Sequence, residues 1–180
     1  IEFSVPKGLV ELTLASILLL TILVGVGGLM VSRIYAKRLS QLGEELIYER
    51  IGMLRAELKR KLELRLLESI EQSKSSTLSS YYLENLAAYF SSKQDLLAQM
   101  LGRTYRHQKL RADLEQQLRY LNKGEADFAI QMLSFLEQKY ILDCHAALQG
   151  VLKYWGVLHA PIALVMSGLA VFHIVLVYAF

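Results

Sequence analysis

Cysteine is nearly missing from this sequence. Cys144 stands alone, so no disulfide can form within the chain. Proline is almost as scarce. It occurs only at Pro6 and Pro161, and nothing between those two positions forbids a helix. Charge is missing from two long stretches: Leu12 to Ser32 has none, and Tyr154 to Phe180 has none apart from its histidines. Strand-like alternation never runs beyond a few residues, no repeat of 20 to 50 residues is visible, and no Gly-rich phosphate loop occurs. No carboxylate pair, zinc spacing or serine triad stands out either. The net charge of +3 is modest, and its basic residues are interleaved with acidic ones. That is the pattern of a solvated helix face, and it argues against nucleic acid as a partner.

What is present falls into two unlike parts, which the mean hydropathy of +0.30 averages away. About 20 uncharged, mostly apolar residues span a hydrocarbon layer of roughly 30 Å as a helix. Residues 12–32 and 153–180 both meet that length, and neither carries the polar face of a soluble core helix. The expected fold is an all-α membrane protein: two transmembrane helices joined by a long helical, coiled-coil domain over 33–152, after a short segment 1–11. The first span is too long for a signal-peptide core and lacks a basic leader, and Arg33, Lys37 and Arg38 follow it as a stop-transfer flank. Those residues with Arg50 after the first span, and Lys139 and Lys153 before the second, outnumber the lone Lys7 on the other side. The positive-inside rule then puts the middle domain in the cytoplasm. Tyr154, Trp155 and Tyr178 suit the membrane interfaces. Ile1 in place of methionine and the apolar end at Phe180 fit a chain that is trimmed or continues.

The middle domain is dominated by Leu, Glu, Lys, Arg, Gln and Ala, which favour helix. Residues 33–72 read as a direct continuation of the first span. Leu39, Leu42 and Leu46 form one stripe, and Ile47, Ile51, Leu54, Leu58, Leu62, Leu66 and Ile70 form another at helical spacing. The polar run 73–77 reads as a break. A second helical region covers about 78–121, with an interruption near Ser91-Ser92. Asn122-Lys123-Gly124 reads as a helix stop with Gly124 as its left-handed cap. A third helix then runs from about Glu125 into the second span. The stripes are packing seams, between these helices or with a second copy. Glu44, Glu45 and Glu49 read as a solvated face, and His107 as a surface residue of a charged helix.

The chemistry rests on histidines. His159 and His173 lie fourteen residues apart inside the second apolar segment, where an ionisable group is costly and marks function by default. Their rings point to nearly one face, roughly 21 Å apart along the axis. Between them the seam reads Gly156, His159, Ala163, Met166, Ala170, His173, whose small residues would leave room for a flat macrocycle. The first span carries a matching small face of Thr21, Gly25, Gly28 and Ser32, for which plain helix packing is the simpler explanation. For the histidines the simpler explanation is a hydrogen bond to a neighbouring helix, or a proton relay.

The segment Trp155-x-x-x-His159-x-Pro161, followed by Phe172-His173, resembles the ligand-bearing helices of small bacterial membrane cytochromes b. The likeness covers about 25 residues, one seventh of the chain. It implies that His159 and His173 each ligate the iron of a haem b, in an electron-transfer protein of the cytoplasmic membrane with a quinone or another cytochrome as redox partner. The family carries a second histidine helix. The first span here has no histidine, so the opposing ligands would come from a homodimer or from other subunits of a redox complex.

His145 lies fourteen residues before His159 on the same stripe and is a candidate for a third haem near the membrane surface. Its neighbour Cys144 gives half of a covalent haem c motif, with Ile141 where the other cysteine would stand. The plainer reading is an inert half-buried cysteine. The chain therefore reads as an electron-transfer protein or redox subunit rather than a self-contained enzyme. The competing reading is a cofactor-free coiled-coil scaffold or signalling protein in the membrane.

Overall fold

The computed structural model describes residues 8–43, 46–73, 77–92 and 104–179. The segment up to residue 7, Glu44, Glu45, Phe180 and part of the expected break at 73–77 lie outside them. Among the described residues every regular element is helical. The chain divides into two compact units, residues 1–38 with 150–180, and residues 39–149.

The first unit pairs most of α1 (Leu9–Gln41) with the C-terminal part of α6 (Lys123–Ala179), a helix of 57 residues that contains Pro161. Both helices are long and apolar enough to cross a membrane. In their most apolar windows only 6% and 0% of the residues are buried by protein. A soluble core helix of that composition would be enclosed. Here Leu19, Leu23, Leu29, Leu164, Val171 and Ile174 are all exposed.

The second unit is a helical bundle with its own core. It comprises a 3-10 turn (Tyr48–Arg50), α2 (Ile51–Ser73), α3 (Thr77–Tyr81), a π-helical turn (Tyr82–Leu86), α4 (Ala87–Ser91), α5 (Tyr105–Gln117), a second 3-10 turn (Leu118–Tyr120) and the N-terminal part of α6. The sequence stripe on α2 is its buried face: Ile51, Leu58, Leu62 and Leu66 are enclosed, whereas Ile47 stays exposed. They meet Leu78, Tyr82, Leu86, Tyr89 and Phe90, Leu110 and Leu114 of α5, and Phe128, Met132, Leu136 and Leu142 of α6. The seams thus close within the chain.

Two boundaries differ from the sequence expectation. Helix α1 does not continue to residue 72. It ends at Gln41, and Gly43 follows at φ +84°, a left-handed conformation that glycine adopts without a Cβ clash. Asn122-Lys123-Gly124 is a helix start. Leu121 is extended (ψ 150°), the Ala126 amide donates to the Asn122 carbonyl at 2.8 Å, and the Asn122 amide donates to the Glu125 carboxylate at 3.4 Å. Asn122 and Glu125 thus stand at the N-cap and N3 positions, with the Glu reaching back as in a capping box. The expected interruption at Ser91-Ser92 is present, with Ser92 extended (ψ 140°).

His107 is buried rather than on the surface. Its ring stacks on Tyr140 at 4.4 Å, and its Nε2 lies 3.1 Å from the Glu137 carboxylate. Burial holds its pKa below the ordinary value of 6.5, against the opposing pull of Glu137. In the folded chain the ring is therefore neutral over a window below pH 6.5 in which the unfolded chain takes up a proton. The unfolded state binds more protons there, so stability rises with pH through that window and is lost as pH falls. Urea unfolding of the full chain between pH 7.5 and 5 should show this loss, and His107→Phe should flatten it. An unchanged slope in the variant would remove His107 as the cause.

Candidate functional site

The two span histidines lie on α6 inside the first unit. The whole predicted seam, Gly156, His159, Ala163, Met166, Ala170 and His173, is half-buried, while Val157, Leu158, Leu164, Val165, Val171 and Phe172 are exposed. The seam faces α1, which runs antiparallel to it. Trp155 donates its indole N–H to the Val24 carbonyl at 3.2 Å. A Cβ at Gly28 would overlap that indole, and a Cβ at Gly25 would lie 3.5 Å from the His159 ring. The missing side chain of Gly28 is what lets Trp155 reach the α1 backbone, whereas a Cβ at Gly25 would make ordinary contact with His159. The His159 ring also stacks on the Trp155 indole, with centroids 5.0 Å apart and planes inclined by 10°. Its Nδ1 is buried without a hydrogen-bond partner.

A haem b is tested against this arrangement through its donors. Each imidazole can offer one axial ligand. The α1 residues facing His159 are small and bring no second donor, and no group of three or more His, Cys, Asp or Glu side chains is placed for a metal among the described residues. The apolar notch of about 260 Å³ in this unit is lined by Ile17, Leu20, Pro161, Ile162 and Val165, without either histidine. That is below the roughly 300 Å³ at which ligand pockets begin. Each histidine could therefore supply at most one axial ligand, and any opposing ligand would have to come from outside this chain's described residues.

His145 and Cys144 belong to the other unit. His145 is 2% exposed. Its Nδ1 lies 3.3 Å from the Gln149 amide nitrogen, which also donates to the Leu46 carbonyl at 2.7 Å. A third haem there would require the bundle to open. Cys144 is half-buried, in keeping with the plainer reading.

The sequence reading missed the charged centre of this unit. Lys139, counted above as a membrane flank, is fully buried. Its ammonium donates to the Asp143 carboxylate at 2.6 Å and to the Ser92 carbonyl at 3.4 Å. Arg55 lies 2.5 Å from the other Asp143 oxygen. The Tyr89 ring takes Lys139 at 5.3 Å and Arg106 at 5.7 Å. Burial lowers the Lys139 pKa while Asp143 raises it, and burial first, then Asp143, pushes the Tyr89 phenol up. A signal was available. Lys139 and Asp143 continue the stripe of Phe128, Met132 and Leu136 at spacings of three and four, so two charges occupy core positions.

Comparison with family models, curated proteins and solved structures finds no match to this chain.

Two substitutions test this geometry. Gly28→Ala should displace Trp155, the sole tryptophan, shift its emission and weaken the helix pairing by about 1–3 kcal/mol. Gly27→Ala, whose Cβ meets nothing within 4 Å, should do neither. Asp143→Asn should destabilise the bundle by about 3–5 kcal/mol in chemical unfolding, because it strands the buried Lys139 and the half-buried Arg55. A loss below 1 kcal/mol would contradict the pairing.

Proposed function

We propose that this chain is an integral membrane protein whose second span presents His159 and His173 as axial ligands to two haem b groups, in an electron-transfer subunit completed by a second copy or another redox subunit. The membrane reading is supported by uncharged stretches of two helices left almost bare of protein, since such a surface is stable only in hydrocarbon. The haem reading is carried by one observation: both imidazoles lie on one half-buried helix face. A bound haem b would supply one-electron transfer, with a quinone or a cytochrome as partner. The chain's own residues position the ligands. Trp155 stacks on His159 and anchors it to α1 through the Val24 carbonyl, and Ala163 and Ala170 keep the face between the histidines shallow.

With Lys139 removed from the flank, Arg33, Lys37, Arg38 and Lys153 still gather at one end of the two spans. The positive-inside rule then keeps residues 39–149 on the cytoplasmic side.

A second reading has its own support. Gly25 and Gly28 already accept His159 and Trp155 as packing partners, which is all that a cofactor-free membrane scaffold requires of them. Visible spectra of the chain purified with its native partners separate the two. Haem ligation predicts a sharp reduced α-band, lost in part in His159→Leu and in part in His173→Leu, with membrane extraction unchanged. A colourless preparation, or full haem content in both variants, would favour the scaffold.

A further inference from the structure

The bundle carries a second site, independent of the histidines. A cavity of about 580 Å³ is lined by Ser80, Tyr81, Glu84, Asn85, Asp113, Gln116, Gln117, Tyr120, Leu121 and Glu125. That volume lies within the range of small-molecule pockets. Three of the lining residues are carboxylates and none is Lys, Arg or His.

Glu125 shows that the cavity is more than an acidic surface. It is 5% exposed. One oxygen accepts the Asn122 amide at 3.4 Å, while Oε1 is buried with no partner. A carboxylate oxygen left in that state is costly unless a donor reaches it. Gln117 repeats the pattern, with a buried and unpartnered Oε1. Tyr81 turns away, donating its hydroxyl to the Leu110 carbonyl at 3.4 Å, so it does not satisfy either group.

The backbone adds to the same field. Helix α5 ends at Gln117, and a helix C-terminus carries partial negative charge. Glu84 and Asn85 come from the π-helical turn Tyr82–Leu86, a distortion that recurs at functional sites. The Tyr81 phenol is pushed up to about 12, first by burial and then by the charge of Asp113.

We propose that this cavity binds an aliphatic polyamine. These carboxylates form no metal-type cluster among the described residues. An extended chain of ammonium groups can meet Glu84, Asp113 and Glu125 in turn. The Tyr120 ring at the rim, 83% exposed, offers a face to a cation or its methylenes.

The test is equilibrium dialysis of radiolabelled spermidine against the full chain in lipid nanodiscs, with empty nanodiscs as background. One saturable spermidine per chain is expected. Glu125→Gln, which keeps the capping geometry, and Asp113→Asn should each weaken binding about tenfold, whereas Glu71→Gln, on the exposed end of α2, should not. Glu84→Gln, on an exposed position, repeats the measurement if either of these variants loses helicity. Absence of saturable uptake, equal binding by all variants, or displacement of spermidine by magnesium at equal concentration would overturn the proposal.

Discussion

The constraint on which this structure rests is the solvent that two of its helices demand. Along α1 and the last part of α6 the exposed surface is leucine, isoleucine, valine and phenylalanine. Water would make that surface a large penalty, at roughly 25 cal/mol per Å². Hydrocarbon removes the penalty but supplies no hydrogen bonds, so each backbone group must be satisfied inside its helix or by a neighbour. Ser16, Thr21 and Ser167 follow this rule, each returning its hydroxyl to a carbonyl four residues earlier. Trp155 finds its acceptor across the helix pair, at Val24.

The bundle of residues 39–149 solves the opposite problem. It encloses apolar side chains from α2 to α6 and, with them, Lys139 and Asp143 beside the half-buried Arg55. A buried ion pair adds little to stability over a hydrophobic one of the same shape, yet breaking it is costly. The cluster therefore acts chiefly on register. Arg55 of α2 and Lys139 of α6 reach one carboxylate, and any slip of either helix leaves a charge without its partner.

Much of this was legible in the sequence. The charge-free runs gave both apolar helices, and the seam from Gly156 to His173 proved to be one half-buried face. The stripe on α2 proved to be its core face. The failures have physical reasons. Gly43 interrupts a helical pattern with a single residue whose effect depends on φ, and Asn122 with Glu125 supports a helix start as readily as Gly124 supports a stop. Lys139 read as a membrane flank although its partner Asp143 stands four residues on, and His107 read as a surface residue because Glu137 and Tyr140 are remote in sequence. The carboxylate cavity has no linear motif, since its walls come from five separate elements.

The account stands or falls on whether α1 and the end of α6 lie in lipid. In a Cys144→Ser background, single cysteines at Leu20, Val165 and Arg60 can be challenged in lysed membranes with a charged maleimide. All three side chains are exposed to whatever surrounds the protein. The account predicts rapid labelling of Arg60→Cys, and none of Leu20→Cys or Val165→Cys until detergent disperses the membrane. Equal labelling of all three in intact lipid would contradict it.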